Sequence, residues 1–153
     1  MTFSLTLSAS DLLLLLPELF LTLWLCVVLA VDFSFKRVVQ EQLAYLTIFG
    51  LLVTLACLAW FDMTGITGTL FGKMFVVDRM AIFFKVMILL ATILVILLSI
   101  DYVHRFSLFR GEYYFLVAMS ALGMMFMASA NDLLSLFVTL EFATFGFYVL
   151  VSY

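Results

Sequence analysis

The 153-residue chain has little charge, one proline, one histidine and two cysteines, and each scarcity removes a class of protein. Charged residues make up 11% of it, where a soluble domain carries about 25%. With 67% hydrophobic residues and a mean hydropathy of +1.32, a soluble fold is excluded, because small domains keep much of their surface in water. Cys26 and Cys57 stand inside separate apolar runs without a Cys or His at ligand spacing, so they read as small core residues and not as a disulfide or a metal site. With no thiolate cluster and no Gly-rich phosphate loop, no redox or nucleotide chemistry is visible in this chain. The Lys and Arg residues form no basic patch, which argues against nucleic acid as a partner, and the formal net charge of -3 says little beyond that. Residues 1–10 carry no Lys or Arg, and the apolar run that follows is long for a cleaved signal, so it reads as a retained span.

What is present is a single transmembrane region of five apolar runs, expected as helical spans at 12–31, 43–61, 80–100, 112–130 and 132–153. Pro17 and Glu18 sit in the first turns of the first span, where Pro is tolerated and Glu suits the positive end of the helix dipole. That end chemistry is the preferred reading of Glu18, ahead of a role in ion movement. Residues 62–78 form the longest connection, with Gly65, Gly68 and Gly72 as turn signals. Its later part, Leu70–Val77, is too short to span and reads as a strand or hairpin against the membrane surface. Lys85 is the only base within an apolar run. At roughly 9 Å past Arg79 it can snorkel to the interface, form a structural ion pair or join a chain of charges, and these readings stay open. His104 lies in the polar connection Asp101–Gly111 and reads as a solvated loop residue, not a proton carrier. Met124, Met125 and Met127 read as adaptable packing.

Orientation follows from the bases. Lys36, Arg37, Arg105 and Arg110 fall on the first and third connections, against Lys73 and Arg79 on the second. The first and third connections are therefore expected in the cytoplasm and the N-terminus outside.

Glu141 is the most demanding residue. Asn131 and Asp132 are good N-cap residues for the last span, and Glu141 lies nine positions past Asp132. That places it roughly 13 Å along the helix, near the midplane of a hydrocarbon core about 30 Å thick. An acid there costs about 2.5–3.5 kcal/mol on insertion scales, and protonation is the cheap escape. A carboxyl that can gain and lose a proton is what a relay needs. Glu141, Thr144, Tyr148 and Ser152 follow at intervals of three, four and four residues, a polar stripe that should face protein or a hydrated cavity. The competing reading has Thr144 and Ser152 bonded to their own backbone and Tyr148 in an interfacial aromatic belt.

The segments Leu98–Tyr102, Glu112–Tyr114, Gly123–Leu133 and Leu136–Glu141 resemble the N-terminal third of the NADH-quinone oxidoreductase subunit N family, antiporter-like membrane subunits of respiratory complex I. Pro17–Glu18 and Val77–Asp78 also match, so the resemblance covers nearly the whole chain, and the run ending in Glu141 is its most specific part. The resemblance implies a complex that passes electrons from NADH through flavin and iron–sulfur centres to a quinone, coupled to proton pumping in the bacterial cell inner membrane. The implied partners are the other membrane subunits of the complex and the lipid bilayer, with no cofactor held by this chain. Glu141 matches the family's fifth-helix glutamate, which works with a lysine of a broken seventh helix. Lys85, Thr144 and Tyr148 join it as candidate proton-path residues. The implied fold is an all-α membrane bundle of about five transmembrane helices, the N-terminal part of a larger antiporter-like fold with inverted repeats. Family members carry functional lysines in their seventh, eighth and twelfth helices. Those helices are absent here, so a fragment, a truncated reading frame or one piece of a split subunit is expected. Two alternatives remain. One is a subunit of a multisubunit sodium/proton antiporter or membrane-bound hydrogenase, distinguished by neighbouring genes. The other is a non-pumping structural or assembly element, for which Glu141→Gln would leave function untouched.

Overall fold

The computed structural model describes residues 9–34, 40–106 and 110–152. Helix α1 (Ala9–Leu14) ends one residue before α2 (Leu16–Ser34), and Pro17 accounts for the break. Pro17 has no N–H to donate, and its ring crowds the carbonyl four residues back, at Leu13. The ladder resumes where Leu19 N donates to Leu15 O at 2.9 Å. The expected first span is thus broken near its start, not continuous from residue 12.

Four further long helices follow: α3 (Gln40–Thr64), α4 (Arg79–Phe106), α5 (Arg110–Ser129) and α6 (Leu133–Ser152). Helices α2 to α6 are the five expected spans, with apolar stretches of 19 to 25 residues, enough to cross a hydrocarbon core. One connection differs from expectation. No Gly or Pro stands between Asp101 and Phe106, so α4 stays helical past its apolar run instead of opening into a loop at Asp101. His104 accordingly lies on a helix. Its side chain, with those of Glu41, Arg105, Arg110 and Ser152, lies outside the described residues, as do Lys36 and Arg37.

Between α3 and α4 the expected hairpin forms from β1 (Gly68–Leu70) and β2 (Phe75–Val77), antiparallel with Gly68 opposite Val77 and Leu70 opposite Phe75. Its tip is a single 3₁₀ turn, Phe71–Lys73, in which Phe71, Gly72 and Lys73 have φ of 50°, 66° and 78°. Only Gly72 adopts that region freely; each of the other two costs about 1–2 kcal/mol. The tip is held from outside. Asn131 donates its Nδ2 to Lys73 O and its backbone N–H to Met74 O, both at 2.9 Å, and Phe75 bridges to Ala130. The Asn131 side chain is therefore committed to the hairpin and does not cap α6. Asp78 does cap α4, accepting a hydrogen bond from Ala81 N at 2.7 Å.

Helix α5 lies at the centre, packed on α2, α3, α4 and α6. The main core joins Leu21, Leu25 and Val28 of α2 to Leu51 and Leu58 of α3, Leu89 and Ile96 of α4 and Met125 of α5. A second cluster under the hairpin gathers Leu14, Phe61, Leu70, Phe75, Val77 and Ile82. Two glycines set helix spacing. The Trp24 indole occupies the notch at Gly50, donating Nε1 to Leu46 O at 3.0 Å, and any Cβ on Gly50 would fall within the ring. A Cβ on Gly123 would lie 2.7 Å from Ala143 Cα, so α5 and α6 meet nearly backbone to backbone.

Candidate functional site

The Pro17 break turns the first residues of α2 into the bundle, and Glu18 is fully buried there. Lys85, in the second turn of α4, is buried against it. Glu18 Oε1 lies 2.5 Å from Lys85 Nζ, with the side chains 0% and 1% exposed. Lys85 therefore neither snorkels nor reaches water, and of its open readings the ion pair is the one the geometry matches; Glu18 does lie in the first turn of α2, but buried against this base. Nζ also sits 5.1 Å from the centroid of the Phe75 ring, the hairpin's contribution to the site. Phe126 of α5 meets Phe75 edge-on at 6.2 Å. Cys57 of α3 packs against the apolar cluster that contains Phe75. Glu18 Oε2 has no hydrogen-bond partner among the described residues.

Removing two charges from water costs several kcal/mol per ion, and their attraction offsets this only when the geometry is good. The bundle supplies that geometry from three elements. The pair was within reach of sequence reasoning. Spans separated by one intervening span enter the membrane from the same face, and Glu18 and Lys85 both lie near the start of their spans, so their depths match. The signal is that Glu18 is the acid at Lys85's own depth.

Glu141 is placed otherwise. It lies on α6 with its side chain exposed, among the exposed Phe137, Val138, Leu140 and Phe145. Its carboxylate has no ion pair or hydrogen bond among the described residues. Thr144 donates its hydroxyl to Leu140 O at 3.0 Å and to Glu141 O at 3.1 Å, and Tyr148 is 70% exposed. The structure thus keeps Glu141, Thr144 and Tyr148 on one helix but does not bring Lys85 to them. Lys85 faces Glu18 in the core. No group of three or more His, Cys, Asp or Glu that could hold a metal occurs among the described residues.

No family model matches the chain. Curated relatives do. NADH-quinone oxidoreductase subunit N of Desulfitobacterium hafniense is 41% identical over 124 residues, covering 81% of this chain and 25% of the relative. The subunit N of Chloroflexus aggregans is 37% identical over 151 residues, 98% of this chain and 30% of the relative. The chain belongs to the subunit N family of the NADH-quinone oxidoreductases. The chloroplast NAD(P)H-quinone oxidoreductase subunit 2 of Nephroselmis olivacea is also similar, 34% identical over 143 residues, 91% of this chain and 28% of the relative. The chain spans only 25% to 30% of the length of these subunit N relatives. Within the family, then, the described residues hold one acid answered by a base, Glu18, and one mid-helix acid unanswered, Glu141.

Proposed function

We propose that this chain is part of a proton-translocating membrane subunit of NADH:quinone oxidoreductase, and that Glu141 takes up and releases protons as electrons pass from NADH to quinone. The observation that carries this reading is Glu141 itself, an acid near the middle of a membrane-length helix, on a face that α5 leaves uncovered. Facing lipid, it would cost about 2.5–3.5 kcal/mol. That cost makes protein the natural cover, most simply further helices of the same subunit, since the relatives are several times longer than this chain. A cation presented by such a helix favours the carboxylate, and its withdrawal favours the acid. Tyr148 continues the same face. Thr144 has its hydroxyl engaged by its own helix and adds shape more than a proton donor.

The partners in this reading are the other membrane subunits of the complex, in a bacterial inner membrane with the N-terminus outside. NADH, flavin, iron–sulfur clusters and quinone belong to the assembly, so the electron chemistry takes place outside this chain. The test is NADH-driven proton pumping and NADH-to-quinone electron transfer in membranes carrying Glu141→Gln in the intact subunit. Both fall while the complex assembles if Glu141 is on the coupled path. Unchanged pumping overturns the reading.

A further inference from the structure

The Glu18–Lys85 pair is left unused by that reading, and two of its features pull in opposite directions. The face of Phe75, 5.1 Å from Nζ, stabilises Lys85 as an ammonium. The orphaned Oε2 favours the other state. An unpartnered buried oxygen costs most when it carries half a carboxylate charge, and much less as the carbonyl oxygen of a neutral acid. The cluster to which Phe75 belongs is apolar: Leu14 of α1, Phe61 of α3, Val77 of β2 and Ile82 of α4, with Phe126 of α5 packed against it. Among the described residues Lys85 is the one base within ion-pair distance of Glu18; Asp78, which caps α4, and Arg79 are exposed. A low-dielectric pair with one group favouring each state is a poised one.

We propose that Glu18 and Lys85 form a proton-exchanging pair, a second proton site on the α2–α4 side of the bundle, with Phe75 as the positioning residue that sets its balance. In the exchange an N–H bond of Lys85 breaks, its electron pair stays on Nζ, and an O–H bond forms at Glu18 Oε1. An ammonium and a carboxylate become an amine and a carboxylic acid, and no net charge enters or leaves. Phe75 in turn is fixed by its bridge to Ala130 and by the two Asn131 bonds to Lys73 and Met74, that is, by the corner from which α6 and Glu141 depart. A displacement of that corner moves the ring against Nζ and shifts the proton. What the exchange serves rests on the proposed translocation; the exchange itself does not.

The experiment uses the intact complex and reads both infrared difference spectra during NADH turnover and proton pumping. The wild type is compared with Glu18→Asp, Phe75→Leu and the double variant Glu18→Gln/Lys85→Met, which removes both charges together and leaves neither buried alone. A carboxylic-acid C=O band should rise and fall with turnover, shift in Glu18→Asp, grow in Phe75→Leu and vanish in the double variant. Pumping in the assembled double variant should fall about a hundredfold, at the low end of what a positioned proton-transfer group contributes. Superimposable wild-type and Glu18→Asp spectra overturn the proposal, and so does wild-type pumping in the double variant. If the double variant fails to assemble, the band shift in Glu18→Asp decides alone. Glu141→Gln is run alongside. Loss of pumping there with no Glu18 band sinks the pair and spares the proposed function; normal pumping there with a Glu18 band does the reverse.

Discussion

Two acids on membrane-length helices of one chain meet opposite fates. Glu18 is fully buried and faces a lysine of α4, whereas Glu141 stands on a helix of which 11% is buried, against 44% of its neighbour α5. Their helices are alike in length and apolar content, so local propensity does not separate them. The difference is tertiary. A charge answered inside this chain is tied to how the chain folds; a charge left unanswered is tied to whatever covers α6.

The contrast breaks most sharply at Lys85. Lys85→Met leaves Glu18 buried without its base, and losing one partner of such a pair costs about 3–5 kcal/mol. Thermal unfolding of this chain in detergent should show that loss, whereas Glu141→Gln, exposed on α6 of the chain by itself, should stay within about 0.5 kcal/mol, as exposed substitutions do. Equal effects at the two sites would erase the distinction between a charge answered within this chain and one answered by whatever covers α6.

Next in size is the seam between the two regions. A Cβ at Gly123 would meet Ala143 Cα at 2.7 Å, and backbone cannot give way as a side chain can. Gly123→Ala should therefore push α6 from α5 at a cost of about 1–3 kcal/mol. Amide hydrogen exchange should speed up along α6 and remain slow along α2 and α4. Exchange that rises equally in all three helices would mean α6 is part of one cooperative core with the buried pair.

Smaller again is the link between hairpin and corner. Asn131→Ala removes the Nδ2 bond to Lys73 O and keeps the backbone bond to Met74 O, so about 1 kcal/mol is expected, read as faster exchange of the hairpin amides. The buried pair should stay intact, since the Phe75–Ala130 bridge and the Phe126 contact still hold the ring.

How much of this was legible in the sequence depends on which residues carried it. The five spans follow from composition and length, because hydrocarbon demands about 20 apolar residues per crossing. Glu141 stands out as the one acid in the middle of an apolar run, and the glycines at 65, 68 and 72 announce the hairpin. Three things were hidden. Pro17 is tolerated at a helix start and disruptive inside one, and only the presence of α1 before it decides which. Asn131 reads as an N-cap because its reach to Lys73, 58 residues away, has no sequence signature. The end of α4 lies later than the polarity at Asp101 suggests, because nothing there breaks a helix. The pairing of Glu18 with Lys85 is different: its signal is their matched depth in spans that enter from one face, which periodicity alone does not show.

The smallest expected effect is at Thr144, and it sharpens what the stripe on α6 means. Its hydroxyl is bonded to Leu140 O and Glu141 O of its own helix, and those carbonyls already accept within the helix ladder. Thr144→Val keeps the branched shape and removes only that redundant bond, so stability should change by less than about 0.5 kcal/mol. Pumping in the intact complex should also stay at the wild-type rate, with Tyr148→Phe as the companion variant because the Tyr148 side chain is largely exposed. If Thr144→Val alone slows pumping while leaving electron transfer and assembly untouched, then the hydroxyl must leave its backbone acceptors when α6 is covered. The polar stripe would then act as a unit, and Glu141 would be its proton-accepting member, not a solitary acid.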